Sequence, residues 1–85
     1  MYYLIDYDRP QTRIVSMQTF PDSDYDAAMK ARLELELDFY HNNIAHREVV
    51  VLHANSLETL KRNHSRYFKT LQEHFDDLVN AIASR

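Results

Sequence analysis

Apolar and polar residues alternate at the start of the chain in the two-residue rhythm of a strand. Tyr2-Tyr3-Leu4-Ile5-Asp6-Tyr7 predicts a strand over residues 2–7, with Tyr3, Ile5 and Tyr7 on one side and Tyr2 and Leu4 on the other. Asp8-Arg9-Pro10-Gln11 is a turn signal, because proline fixes φ and aspartate can bond back to the backbone. Residues 12–20 alternate again and predict a second strand, paired with the first as a hairpin.

The rhythm then changes to a helical one. Asp22 or Ser23 can cap a helix over about 23–42, with Asp26 placed three residues after Ser23. Asn42-Asn43 can supply the left-handed residue that usually falls to glycine, and Ile44 can fold back as an apolar lock. The run Val49-Val50-Val51-Leu52 predicts a third strand over 47–54. Asn55 with Glu58 forms a capping-box pattern, and no glycine or proline follows it, so the spacing predicts one long helix over 56–83.

On a wheel of 100° per residue, Leu57, Leu60, Tyr67, Phe68, Leu71, Phe75, Leu78, Val79 and Ile82 fall on one arc of that helix. A helix of that length reaches about 40 Å, whereas an eight-residue strand reaches only about 27 Å. The second half of the stripe (Leu71, Phe75, Leu78, Val79 and Ile82) therefore overhangs the sheet. Each large side chain left in water forfeits about 1.5–3 kcal/mol of burial.

The expected architecture is a single two-layer α+β domain over residues 1–85, in the order β-β-α-β-α. It comprises a three-stranded sheet, two helices, and length to spare in the second. A β2–helix–β3 unit should cross over right-handed if its strands are parallel neighbours. Both faces of the predicted sheet are apolar, since Val50 and Leu52 oppose Val49 and Val51 in the third strand. Either one helix covers each face or a second chain covers one of them.

The first helix carries two apolar lines: Ala28, Ala31, Leu35 and Phe39, and Met29, Leu33, Leu37 and Tyr40. Together they cover more than half its circumference, which implies contact on two sides.

Composition narrows the function classes. A chain of 85 residues suits one domain and yields a small core. It has no cysteine, so disulfides, thiolate nucleophiles and Cys-type metal centres are excluded. It has no glycine either, which excludes standard phosphate loops, dinucleotide fingerprints and nucleophile elbows. Met1 to Asp8 lacks the basic start and long apolar run of a signal peptide, and nothing resembles a 20-residue membrane span. The expectation is a cytoplasmic protein without membrane contact.

The net charge of −3 argues against nucleic acid as the main partner. Residues 46–72 are nevertheless basic, because Arg47, Lys61, Arg62, Arg66 and Lys69 outnumber Glu48 and Glu58, and Glu73, Asp76 and Asp77 follow. That order opposes the dipole of a single helix but suits two such helices laid antiparallel.

Candidate chemistry is sparse. His64 sits at the centre of the apolar arc with Tyr67 close by, and Arg32 and Glu36 have the i, i+4 spacing of an ion pair. The four residues could line a ligand pocket, although a buried structural histidine and a pair snorkelling at a core edge explain them as well. His41, His46, His53, His64 and His74 lack zinc-site spacing, so no metal is expected, no cofactor is implied and no catalytic residue stands out.

The reading that follows is a small, non-enzymatic, homodimerising interaction module whose interface is built on Leu71, Phe75, Leu78, Val79 and Ile82, with another protein as a further possible partner. The alternatives are a small enzyme or ligand-binding protein centred on His64 and Tyr67, and a nucleic-acid-binding protein using Lys61, Arg62, Arg66 and Lys69.

Overall fold

In the computed structural model, which describes residues 1–83, strand β1 (Tyr2–Asp8) lies between β2 (Arg13–Phe20) and β3 (Arg47–His53). Both pairings are antiparallel, with Ile5 opposite Met17 on one side and Val50 on the other. The remaining elements are helix α1 (Tyr25–His41), helix α2 (Leu57–Asn63) and helix α3 (Leu71–Ala83), with single 3-10 turns at Asp22–Asp24 and Ser65–Phe68. The α+β class and the three-stranded sheet are as the pattern predicts. β2 and β3 are parallel to each other but are not neighbours, because β1 is inserted between them. The condition for a simple parallel crossover is therefore not met, and the unit is a split β-α-β.

Strand β1 explains the layering. As the central strand it is covered on both faces, so every residue from Tyr3 to Asp8 is buried. Tyr3, Ile5 and Tyr7 point into the main core with Ala54, Leu60 and Tyr67, and Ile14, Val50, Leu52 and Phe68 pack around them. Leu4 faces the other way, towards Ala31 and Leu35 of α1, and the Tyr2 ring meets Tyr25 at 5.4 Å. One helical segment thus lies on each face of the sheet, the arrangement that accounts for two apolar sheet faces.

Local chemistry shapes the connections. Pro10 occupies the second position of the β1–β2 turn, Arg9 O accepts from Thr12 N at 3.2 Å, and Asp8 Oδ1 accepts from Gln11 N at 3.0 Å. Thr12 has φ of 48°, a left-handed conformation filled by glycine in most turns. At the end of α1, Asn43 takes the left-handed role with φ of 56°. Ile44 N donates to Phe39 O and Asn43 N to Tyr40 O, which is the hydrogen-bond pair of a Schellman cap, completed by Ile44 lying against Phe39.

The start of α1 differs from expectation. Neither Asp22 nor Ser23 caps it: a 3-10 turn comes first, and Asp22 instead accepts from His53 and from the Met1 ammonium. These two bonds, with His53 at 2.9 Å, hold the exposed Asp22 carboxyl below its usual pKa.

The largest departure is in the predicted 56–83 helix, which is broken. Ser56, rather than Asn55, caps α2 by accepting from Thr59 N at 3.1 Å. The helix stops at Asn63, His64 leaves helical geometry at φ −127° and ψ 47°, and Lys69 is extended at φ −91° and ψ 147°. Thr70 then starts α3 as a reciprocal capping box: Glu73 N donates to Thr70 Oγ1 at 3.2 Å, and Thr70 N donates to Glu73 Oε1 at 3.4 Å. Two physical effects favour the break. The run Asn63-His64-Ser65 contains poor helix formers, and the bend lets Tyr67 drop onto the sheet beside Tyr7, ring centroids 5.1 Å apart.

Candidate functional site

The break decides what each predicted site residue can do. Tyr67 is buried, and its hydroxyl accepts from Arg66 Nη2 at 2.8 Å. The Arg66 guanidinium lies 4.2 Å from the centroid of the Tyr67 ring and also bonds Glu48 Oε2 at 2.5 Å. Burial, followed by the nearby Glu48 carboxylate, pushes the Tyr67 hydroxyl above the ordinary tyrosine pKa. Tyr7 is likewise raised by burial, which outweighs the opposing charge of Arg66. Both phenols therefore stay neutral well into the alkaline range, and the cluster acts as a clamp that fixes the 3-10 turn to β1 and β3.

His64 does not sit in the core. It ends α2, donating its backbone N–H to Leu60 O at 2.9 Å, and its ring is half-buried with no hydrogen-bond partner among the described residues. Arg32 and Glu36 form the expected pair, with Arg32 Nε 2.7 Å from Glu36 Oε1, and Met29 and Leu33 line a shallow groove beside them. That groove is on α1, across the sheet from Tyr67. The four ligand-pocket candidates therefore belong to two separate surfaces and do not form one site.

The basic residues are largely committed within the chain. Arg66 pairs with Glu48, Lys69 with Asp77, and Lys61 lies 5.8 Å from the Phe68 ring centroid. The charge order that suggested an antiparallel helix pair is thus partly taken up by the chain folding on itself. Among the described residues, no group of three or more His, Asp or Glu side chains could hold a metal ion, and no helix is long and apolar enough to cross a membrane.

One polar feature was not foreseen. Asp6, predicted merely to interrupt an apolar run, is buried under α1, where its Oδ2 accepts from Arg47 Nη1 at 2.6 Å. Arg47 in turn lies over the Phe39 ring at 5.2 Å. Asp6 Oδ1 and Arg47 Nε are buried without partners. The sequence signal was available: a carboxylate in the central strand of a small sheet must be paired.

What remains is an apolar surface. Phe75, Leu78, Val79 and Ile82 of α3 are 58%, 58%, 45% and 59% exposed, respectively. Leu71 opens the helix, but its side chain lies outside the described part of the structure. The polar contacts of α3 hold it to the 3-10 turn: Lys69 bonds Asp77, and His74 Nε2 donates to Arg66 O at 2.9 Å. On the far side of the molecule the outer line of α1 is equally bare, with Leu33, Leu37 and Tyr40 exposed by 55%, 46% and 77%. Of the two apolar lines on α1, the one with Ala28 is buried or half-buried along its length, whereas in the other only Met29 is half-buried.

Neither the family models, nor the curated proteins, nor the solved structures match this chain. The class of protein is therefore defined by its fold, a small α+β domain that extends an apolar helix away from its core.

Proposed function

We propose that the protein is a non-enzymatic, homodimerising interaction module that uses α3 to join two copies. The observation that carries this reading is the exposure of Phe75, Leu78, Val79 and Ile82 on one face of a capped helix, none of whose described side chains belongs to the core. Residues 75, 78 and 82 have the alternating three- and four-residue spacing of a helix–helix seam, and the wheel places Glu73, Asp76 and Asp77 away from it. Another copy supplies the cover that this chain lacks. A monomer would hold about 400 Å² of apolar surface in water on one short helix, which is costly for so small a domain.

The test is mass in solution, together with far-UV circular dichroism. The full chain should sediment at twice the chain mass at micromolar concentration. The double variant Phe75→Asp with Leu78→Asp should sediment as a folded monomer, because the charges would be buried in the seam but stay in water on a lone chain. A folded wild-type monomer at millimolar concentration defeats the reading.

A further inference from the structure

Strand β2 lies at the edge of the sheet with one backbone side unpaired among the described residues. We infer that residues 16–20 of β2 pair antiparallel with the same residues of a second copy, about a two-fold axis at Gln18, and so join two sheets into one. This inference rests on the homodimer reading above and fixes where its axis passes.

The two outer strands of the sheet are covered unequally. In β3 every residue from Arg47 to Leu52 is half-buried, whereas in β2 only Ile14 and Phe20 are, and the rest are exposed. Val15 and Met17 remain 41% and 37% exposed. An edge strand turns alternate N–H and C=O groups outward, ready to bond a further strand, and natural sheets blunt such edges with charges, proline or bulges. Residues 16–20 read Ser-Met-Gln-Thr-Phe, with neither charge nor proline.

The blunting devices stand at the two ends of this stretch and set its register. At one end Val15 is a bulge: Ile14 pairs with Tyr7 and Ser16 with Asp6, which leaves Val15 without a partner on β1. At the other end Pro21 has no N–H to extend a ladder. Gln18 is the midpoint. Antiparallel pairing centred there sets Ser16 against Phe20, Met17 against Thr19, and Gln18 against its own copy. Moving the axis to Met17 or Thr19 would set Val15 or Pro21 opposite a strand residue. Arg13, the only charge on the strand, lies well away from the axis, so its two copies stay apart. A second copy is the occupant because the stretch is its own complement: uncharged, bounded at both ends and matched in length by its own image.

Symmetry permits the strand pair and the α3 contact to share one axis. The dyad of an antiparallel strand pair stands perpendicular to the sheet, so like faces stay together. Both α1 helices fall on one side of the joined sheet, and both 3-10 turns with their α3 helices fall on the other. Thr70, which starts α3, lines one cleft with Arg13 and Ile14 of β2, so α3 leaves the body at the edge that pairs. Two α3 helices alone cover about 800 Å², the size of a casual contact, and the strand ladder adds backbone hydrogen bonds to it.

Gln18 is exposed, so a charge placed there stays in water on a lone chain. Gln18→Lys and Gln18→Glu should both keep the wild-type circular dichroism spectrum. Each alone should self-associate about fivefold more weakly than wild type, because like charges then meet directly across the axis. An equimolar mixture of the two should regain the lost affinity in sedimentation equilibrium. The chain has no cysteine, so Gln18→Cys carries a single thiol. Mild oxidation should link it to its own copy, whereas Leu37→Cys, on the outer face of α1, should stay uncrosslinked. Charge variants that associate like wild type, or a Gln18→Cys chain that does not cross-link within a wild-type-like dimer, would overturn the strand pairing while leaving the α3 dimer intact. A wild-type monomer would overturn both and leave the edge to an extended segment of another protein.

Discussion

Leu60→Ala is expected to cost about 3–5 kcal/mol of folding stability, much of what a domain of this size possesses. Leu60 and Ile5 are both 0% exposed and are the largest fully buried side chains among the described residues. Leu60 is the residue through which α2 closes one face of the sheet. Removing its branched end deletes transfer energy and leaves a cavity that a stiff β1 strand, hydrogen-bonded on both sides, cannot fill by relaxing. Urea titration at protein concentrations low enough to keep the chain monomeric reads the loss directly. Ile82→Ala is the control: it removes similar chemistry from α3, outside the core, and should move the monomer midpoint by a small fraction of the Leu60 effect. Equal effects at the two positions would mean that α3 belongs to the core after all.

Asp6→Ala should be comparably damaging, at about 3–5 kcal/mol, for the opposite kind of reason. The substitution leaves the Arg47 guanidinium, with only 22% of its side chain exposed, facing Phe39 without a counter-charge. The ion pair itself is not a large net asset, because taking both charges out of water offsets their attraction. The double variant Asp6→Leu with Arg47→Met should therefore recover most of the loss and come within about 1–2 kcal/mol of wild type on either side. Chemical denaturation of the two single variants and the double variant settles this. Additive losses in the double variant would contradict the account, since they would mean that the two side chains act independently and that neither single loss comes from stranding the other's charge.

How far these features could be read from the sequence depended on whether the signal was local. The strand at Val49–Leu52 and the end of α1 at Asn43 follow from residue type alone, and Asn43 takes the left-handed conformation for which no glycine was present. The Arg32–Glu36 pair follows from helical spacing. The break at His64–Thr70 did not emerge, because the wheel joins Leu60, Tyr67, Leu71, Phe75 and Ile82 into one stripe and no glycine or proline interrupts it. The signal lay in Thr70 and Glu73, a capping box placed inside an apparently continuous helix. His64 was misplaced for the same reason: a position central to the arc of a straight helix becomes a cap once the helix ends. That His64 and Tyr67 lie across the sheet from Arg32 and Glu36 is a matter of tertiary arrangement, which no spacing along the chain encodes. The apolar excess of α3 was legible, but its cause changed. The stripe is bare because the chain turns beneath it and leaves α3 outside, not because a rigid helix overshoots.

Hydrogen exchange of residues 71–83, followed across a dilution series, tests the central claim most directly. Exchange in β1 should be slow and concentration-independent over the range where the chain stays folded, since its strand pairing is internal. Protection in α3 should rise with protein concentration and fade on dilution, as expected of a helix sheltered by a second copy. Protection of α3 that persists unchanged at the highest dilution, or that is absent at every concentration, would contradict the account.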